Sequence, residues 1–259
     1  MIKSEASLYA VKYNHLSGHH ITDHCHEEAQ LTIAVSGTVR VQTESGWWLA
    51  LPGMAILIPP GVIHRAVYPQ QAELINLHFN FGAGNSREQQ LEMFTVSTLM
   101  LELAREACLL SFTNVESPEL SLIRQLMICQ LEKNVSQSNF FIPEGQDKRL
   151  RFITQKLKNT PGCTDTLSEL AEQSCASQRT IARLFLNETG MTFLVWRERL
   201  RIIAAVEKLI AGESVLGTAL DLGYQSASSF TTAFTRIVGD PPRKYTRRCK
   251  SIMFDCPMT

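Results

Sequence analysis

A weak internal duplication in the C-terminal half restricts the fold more than any other feature of the chain. The two copies share an alanine, a turn, a serine, apolar residues at helical spacing and a glycine at the end. The matched positions are Ala171 and Ala219, Phe185 and Phe234, and Gly190 and Gly239. The offset is 48 residues at the alanines and 49 at the glycines, so the second copy has one extra residue in its turn. One supersecondary unit used twice explains such a repeat.

Each copy has the residue order of a helix-turn-helix. The alanine allows two helices to approach closely, and Gly223, four residues after Ala219, suits a turn with positive φ. Ser177 and Ser226 are placed to cap the N-terminus of the second helix. The pattern therefore predicts two helix-turn-helix units, at about 166–190 and 214–239.

The stretch between the two copies has the spacing of a helix. Residues 193–210 place Trp196, Leu200, Ile203 and Leu209 on one apolar face. A single rigid linking helix is predicted here, and it would hold the two units in a set relation to each other.

The segment from about Thr166 to Tyr245 resembles the AraC/XylS family of bacterial transcription regulators. The matching residues run in order and are Ser177, Arg179, Thr180, Arg183, Phe185, Gly190, Trp196, Arg199, Leu200, Gly223, Tyr224, Ser226, Ser228, Phe230, Phe234, Gly239, Pro242 and Tyr245. Two units in tandem with this connection are far more specific than one helix-turn-helix pattern. Cys175 stands where glycine is common in the first turn, and Thr218 stands where a large aliphatic residue is usual.

The resemblance implies that the second helix of each unit enters the major groove of double-stranded DNA. It assigns the DNA-facing positions to Gln178, Arg179, Thr180 and Arg183 in the first unit and to Ser228, Thr231, Thr232 and Arg236 in the second. Arginine suits the paired acceptors of guanine, whereas short uncharged side chains indicate methyl contacts and single hydrogen bonds. Arg236 is expected at a phosphate. The alternative for any helical arginine is solvation or pairing with a nearby carboxylate.

The charge distribution agrees with a C-terminal half that meets a polyanion. The formal net charge is zero, but residues 1–147 carry 8 Lys+Arg and 15 Asp+Glu, whereas residues 148–259 carry 17 and 10. The two halves therefore differ in sign, at −7 and +7. Such an asymmetry favours nucleic-acid binding by the basic half, although charge alone is a weak indicator.

The N-terminal half has the pattern of short strands. From about Leu31 to Phe81, apolar or alternating runs are separated by turn residues, which predicts a small antiparallel barrel or sandwich. Residues 87–111 and 119–135 have apolar residues at helical spacing, and 136–147 has the composition of a linker. The fold class is therefore α+β, with one domain over 1–145 and an all-α domain over 146–259.

Two spacings in the N-terminal half resemble the two motifs of the cupin β-barrel. They run Gly18-x5-His24-x-His26-x3-Gln30-x6-Gly37 and Gly53-x5-Pro59-x-Gly61-x2-His64. Gln30 stands where a glutamate is usual and Tyr68 where an asparagine is usual. AraC/XylS regulators often place a cupin-like sensor before the DNA-binding half, so the two resemblances support each other.

In metal-binding cupins, the positions that match His24, His26, Gln30 and His64 hold the ion. Neutral imidazoles suit Zn, Ni, Cu or Fe, and alternation on a strand points His24 and His26 to the same face. Two other interpretations stay open: a pocket in which these four residues bind an organic effector without metal, and histidines that serve neither purpose. All seven histidines lie between His15 and His78, and the remaining ones (His15, His19, His20 and His78) are expected on the surface or in packing.

The function predicted from both halves is that of an effector-responsive transcription regulator. A homodimer is expected through the two helices that follow the strands, and RNA polymerase is a further candidate partner. One alternative is a metal-dependent cupin enzyme with a helical appendage. Another is an architectural DNA-binding protein whose N-terminal half is filled solid with side chains. No nucleophile–base pair, phosphate-binding glycine loop or paired carboxylates stand out, so no catalytic residue is assigned.

The chain is expected in the cytoplasm. Its seven cysteines form no C-x-x-C pair, which is typical of reduced thiols rather than of a disulfide framework or a thiolate zinc site. No stretch approaches 18 consecutive apolar residues, and the start lacks the layout of a secretion signal.

Overall fold

The computed structural model describes residues 8–79, 91–111, 117–133 and 139–254. The chain divides into two compact units. One contains Met1–Thr43 and Leu49–Ser138, and the other contains Glu44–Trp48 and Asn139–Thr259. Among the described residues, no helix is both long and apolar enough to cross a membrane.

The first unit is built on antiparallel strands. They are β1 (Leu8–His15), β2 (His20–His24), β3 (Ala29–Ser36), β4 (Val39–Thr43), β6 (Met54–Ile58), β7 (His64–Val67), β8 (Ala72–Phe79) and β9 (Glu92–Thr95), with β5 (Gly46–Ala50) between β4 and β6. One sheet has the order β1-β8-β3-β6-β9, and in a second sheet β7 lies between β4 and β2. The predicted antiparallel architecture is confirmed as two sheets; closure into a barrel stays a prediction.

The two faces of the first sheet have different neighbours because side chains alternate along each strand. On one face, Leu31 and Leu77 pack against α1 (Thr98–Ser111) and α2 (Pro118–Lys133) in a single apolar core. On the other face, Gln30, Thr32, Asn76 and His78 border a cavity. The register pairs Gln30 with His78 and Thr32 with Asn76, so these four side chains share one patch of sheet.

The second unit consists mainly of helices. They are α3 (Lys148–Asn159), α4 (Leu167–Gln173), α5 (Gln178–Thr189), α6 (Phe193–Ile210), α7 (Val215–Asp221), α8 (Ala227–Val238) and α9 (Pro242–Phe254). Hydroxyl side chains cap the N-termini of α4 to α8, at Thr166, Ser177, Thr192, Ser214 and Ser226. Gly190 and Gly239 end α5 and α8 in the left-handed conformation. The predicted pair of helix-turn-helix units with a linking helix is thus present.

Trp196 lies at the centre of the second unit's core. It is fully buried beside Phe185, at a ring distance of 5.7 Å. Its indole N–H donates to the carbonyl oxygen of Pro143 at 2.9 Å, so the ring is fixed by a polar contact as well as by packing. Around α8, the rings of Phe230, Phe234 and Tyr245 pack against one another in a similar aromatic series.

Two expectations from the sequence are corrected. The helix predicted from residue 87 begins only at Thr98, because Glu92–Thr95 forms strand β9 against β6 and buries Met93 and Phe94. The part of the prediction on residues 80–90 lies outside the described residues.

The predicted linker also contains regular structure. Within it, Phe141–Pro143 forms β10, which pairs antiparallel with Gly46–Trp48 at the start of β5. Phe141 stacks on Trp48 at 4.3 Å. The second unit therefore begins at Asn139 and includes a short segment of the preceding sequence, whereas the sequence placed the boundary after residue 145.

Cys175 is the position where the first turn departs from its expected glycine. Its φ is +54°, matching the +77° of Gly223 in the second turn, and its side chain is exposed. A non-glycine residue in this region costs about 1–2 kcal/mol, partly offset by glycine's larger unfolded-state entropy of about 0.5–1 kcal/mol. Cys175→Gly is therefore expected to raise the free energy of unfolding by about 0.5–1 kcal/mol, measured by urea denaturation.

Gly223→Ala is the matched control for this experiment. It places a Cβ at positive φ, 3.0 Å from both the Arg201 guanidinium and the carbonyl oxygen of Gly162. Destabilisation is expected there. A lower urea midpoint for Cys175→Gly would contradict the assignment of strain to the first turn.

Candidate nucleic-acid interface and effector cavity

The first recognition helix, α5, presents two arginines from a well-capped N-terminus. Ser177 Oγ accepts from the backbone N–H of Thr180 at 3.1 Å and contacts its hydroxyl at 2.9 Å, so Thr180 stabilises the helix start. Gln178, Arg179 and Arg183 are exposed. Within the described part of the chain, neither guanidinium is paired with a carboxylate, so both remain available to an external acceptor.

A groove lies beside α5 and the start of α6. Its volume is about 900 Å³, and its lining includes Gln178, Arg179, Thr180, Arg183 and Arg197. The Arg197 guanidinium lies over the Phe193 ring at 4.7 Å and donates to the carbonyl oxygen of Asp165 at 2.8 Å. The groove thus combines exposed arginines on α5 with an arginine that is fixed by the backbone carbonyl of Asp165.

The second recognition helix, α8, has a less charged surface. The hydroxyls of Thr231 and Thr232 donate to the carbonyl oxygens of Ala227 and Ser228, at 2.7 and 3.1 Å. Ser228 is exposed. Because the threonine hydroxyls are used within the helix, their methyl groups are the remaining groups for contact with a partner.

Among the residues predicted to contact DNA, Arg236 departs most from its expected role as a phosphate contact. It forms an ion pair with Glu198 of the linking helix, while 65% of its side chain stays exposed. Pairing with a carboxylate is the alternative to DNA contact for an arginine on a helix. An exposed pair of this kind is weak, so a phosphate can still compete for the guanidinium.

The first unit contains a cavity of about 310 Å³. It is lined by Tyr13, His15, Ile21, His24, His26, Gln30, Thr32, Val39, Val41, Ile58, His64, Ala66, Tyr68, Asn76 and His78. Among the described residues, this lining holds five imidazoles and no lysine, arginine, aspartate or glutamate. These residues therefore give the cavity polar groups on a largely apolar wall, without a fixed formal charge.

Three of the histidines converge inside it. One ring nitrogen each of His24, His26 and His64 lies within 4.8 Å of the others. Nδ1 of His24 donates to the carbonyl oxygen of Thr22 at 2.8 Å, and Nδ1 of His64 donates to that of Val62 at 2.9 Å. These bonds select the tautomer with a free Nε2 lone pair. Nε2 of His26 is buried and has no hydrogen-bond partner among the described residues.

The environment favours the neutral form of His26 and His64. Burial lowers the pKa of His26 to about 4, with further lowering by His64, His78 and His24, while a hydrogen bond with Gln30 acts in the opposite direction. Burial also lowers the pKa of His64, against the effect of its bond to Val62. Neutral imidazoles are the form that accepts a hydrogen bond or a metal ion.

Gln30 and Tyr68, the two departures from the cupin pattern, both border the cavity. Gln30 donates from its amide nitrogen to the hydroxyl of Thr32 at 2.7 Å and shares a hydrogen bond with His26, so its amide lies against the histidine cluster. Tyr68 stacks on His15 at 3.9 Å, and burial, with a smaller effect of Tyr13, raises its pKa to about 12. Tyr68 thus stays a neutral phenol.

Two histidines that the sequence placed on the surface or in packing line the cavity instead. His78 contacts His26 at a ring distance of 5.2 Å, and His15 stacks on Tyr68. The available signal was strand register: His78 is two residues after Asn76, and His15 is two after Tyr13, on strands that pair with each other. Of the other two, His19 stacks on His15, and both His19 and His20 are exposed.

Comparison with known proteins gives matches in both units. A family model described as a helix-turn-helix domain matches residues 170–248, and one described as an AraC-like ligand binding domain matches residues 9–86. The HTH-type transcriptional regulator NimR of Escherichia coli is 28% identical over 229 residues, covering 88% of this chain and 83% of NimR. The transcriptional activator RclR of the same organism is 28% identical over 230 residues, covering 88% and 72%.

Among solved structures, ToxT from Vibrio cholerae covers 93% of this chain and 98% of its own. Its sequence identity is 13% and the TM-score is 0.40.

Proposed function

We propose that this chain, which is similar to AraC-type transcription regulators in both of its units, reads two adjacent segments of the major groove with α5 and α8. The observation that carries this proposal is the pair of exposed arginines on a capped helix, Arg179 and Arg183, which no carboxylate of the described residues pairs with. Segments read from one face of the duplex lie about 34 Å apart, one helical turn.

The two helices are proposed to read DNA by different chemistry. Arg179 and Arg183 suit the N7 and O6 acceptors of guanine, with Gln178 as a further base-contacting group. Thr231 and Thr232 offer methyl groups to thymine, and Ser228 offers a single hydroxyl. Arg236 is assigned to a phosphate, in exchange for its exposed pair with Glu198.

Selective retention of genomic DNA tests this proposal. The full chain is mixed with sheared DNA from its host, and the retained fragments are sequenced. Enrichment of a few sites that share two short blocks about one helical turn apart is the expected result. Retention without enrichment, which falls steeply as salt rises, would show only nonspecific phosphate binding and would overturn the assignment.

We propose further that a small effector binds in the 310 Å³ cavity and regulates DNA binding. The cavity argues against an architectural protein, whose N-terminal half would be filled with side chains. The relatives are transcription regulators and not enzymes, which decides against the metal-dependent enzyme alternative. His24, His26, Gln30 and His64 are the proposed effector contacts, together with the newly placed His78 and Asn76, whose buried Oδ1 has no partner among the described residues.

A divalent transition metal is the second candidate for this site. Three free imidazole nitrogens fit Zn, Ni, Cu or Fe, and the bonds from Nδ1 to backbone carbonyls are the usual support of metal-binding histidines. Ligand nitrogens about 2.0–2.1 Å from an ion lie about 3.4 Å apart in a tetrahedral site. Since the three nitrogens lie within 4.8 Å of one another, the rings must close by at most about 1.4 Å. The carbonyl oxygen of Gln30 is the remaining proposed donor.

Replacing His64 tests the metal candidate. His64→Ala is expected to weaken zinc or nickel binding to the full chain by about tenfold or more, since one of three imidazole ligands is lost. Isothermal titration with each metal salt measures this. His20→Ala is the control, because His20 is exposed and does not line the cavity. Equal metal affinity in wild type and both variants would reject the metal and leave the organic effector.

The regulator is proposed to act as a homodimer in the cytoplasm, where its DNA lies. Leu109 on α1 and Leu122 on α2 are 63% and 65% exposed, which is unusual for large apolar side chains on packed helices. Sedimentation velocity of the full chain should give a dimer, and Leu122→Lys should shift it toward monomer.

RNA polymerase is the further proposed partner if the protein activates transcription.

A further inference from the structure

Arg201 of the linking helix joins three segments of the second unit. Its Nε donates to the carbonyl oxygen of Pro161 at 3.1 Å, and its Nη2 donates to that of Cys163 at 2.7 Å. The guanidinium also lies 5.9 Å from the centre of the Tyr224 ring. The Arg201 cluster consists of Arg201, residues 161–163 and Gly223–Tyr224.

The cluster joins the segment that leads into the first helix-turn-helix to the turn of the second. Residues 161–163 connect α3 to α4, the first helix of the first helix-turn-helix, whereas Gly223 and Tyr224 form the turn between α7 and α8 in the second. A Cβ on Gly162 would lie 2.0 Å from the carbonyl oxygen of Asp221. The backbone of the α3–α4 connection therefore contacts the end of α7 directly, and a side chain at position 162 would separate the two segments.

The chemistry of Arg201 is that of an internal support. Its side chain is half-buried, and burial lowers the pKa of the guanidinium, with a further lowering by Arg197 and an opposing effect of Tyr224. Two backbone carbonyl oxygens accept from Nε and Nη2 of this group. The residue thus has its hydrogen bonds inside the protein, unlike Arg179 and Arg183 on the recognition helix.

We propose that Arg201 is a positioning residue that sets the distance and rotation between α5 and α8, and so determines which spacing between two DNA blocks the chain accepts. The inference rests on the proposed reading of two adjacent major-groove segments. Moving one block by a single base pair shifts it by about 3.4 Å and turns it by about 35° around the duplex. Two rigidly joined helices bind DNA more tightly than one helix only when both DNA blocks lie at the matching distance and rotation.

The experiment compares spacing preference rather than affinity alone. Wild-type chain first selects a two-block site from random duplex DNA, and the spacing of that site is then changed by −1, +1 and +2 base pairs. Dissociation constants are measured by fluorescence anisotropy for wild type, Arg201→Met and Arg201→Lys. Arg199→Met is the matched control, because Arg199 is also half-buried on α6 but donates to the carbonyl oxygen of Phe141 instead.

The expected result is a loss of selectivity in Arg201→Met. Its affinity for the selected spacing should fall about tenfold, while its affinity for the altered spacings changes less than about threefold. Arg201→Lys should restore part of the preference. Gly162→Ala should resemble Arg201→Met, since its Cβ would meet the Asp221 carbonyl oxygen and push apart the two segments that Arg201 joins.

Three outcomes would overturn the inference. Arg201→Met and Arg199→Met could lose affinity equally at every spacing, which would indicate a general stability effect. Arg201→Met could instead keep the wild-type preference, or the wild type could bind all spacings alike. If the wild type selects no sequence at all, the proposed function fails first, so the two failures are distinguishable.

Discussion

Replacing Trp196 by alanine is expected to lower the free energy of unfolding by about 3–5 kcal/mol. The indole is fully buried, contacts Phe185, and lies on the helix that links the two reading units. The substitution removes a large apolar group from a packed core and also leaves the carbonyl oxygen of Pro143 without its donor. Urea denaturation of the full chain, followed by circular dichroism at the helical band, measures the change.

Trp196→Phe separates the two contributions. Phenylalanine keeps most of the apolar contact but cannot donate to Pro143, so an intermediate loss of about 1–3 kcal/mol is expected. Specific DNA binding should survive in folded Trp196→Phe. A loss below about 1 kcal/mol in Trp196→Ala would show that this core reorganises around the missing ring.

Arg179→Ala is expected to weaken binding to the selected DNA site by about 1–3 kcal/mol and to relax the preference at one base pair. Arg179 is exposed on the first turn of α5, and no carboxylate of the described residues competes for it. A bidentate contact to guanine loses both hydrogen bonds when the side chain is truncated. Anisotropy titrations against the selected site and its single-base variants measure both effects.

Arg149→Ala controls for loss of positive charge. Arg149 is an exposed arginine in the same unit, but it is paired with Asp147 at the start of α3. Its replacement should leave base preference unchanged. Arg236→Ala makes a second comparison. Loss of a phosphate contact weakens binding to all DNA sequences alike, and it reduces the slope of log affinity against log salt concentration by about one. Unchanged affinity and unchanged base preference in Arg179→Ala would rule out direct reading by this residue.

The helical half was predictable from sequence because its signals are local. Ser177 and Ser226 cap the second helices, Gly223 adopts positive φ, and Phe193–Ile210 is one helix, all as the pattern indicated. Each depends on the chemistry of a few neighbouring residues. The strand β9 was missed because Met93 and Phe94 become buried only through pairing with β6, a contact distant in sequence.

The histidine site was predictable only in part. The spacing of His24, His26 and His64 identified a cluster, and the structure brings their nitrogens together. His15 and His78 were assigned elsewhere, because period-two alternation says which residues share a face but not which face borders a cavity. That choice depends on the other sheet face, where α1 and α2 cover Leu31 and Leu77.

The sequence by itself determined the two reading units, their caps, the linking helix and the acidic–basic division of the chain, since short-range backbone preferences and composition specify these. The tertiary structure alone decided which arginines are free. Arg179 and Arg183 remain unpaired among the described residues, Arg236 meets Glu198, and Arg201 supports backbone carbonyls of Pro161 and Cys163. The physical reason is that a side chain's partners are set by packing between segments far apart in the chain, which residue type and spacing do not encode.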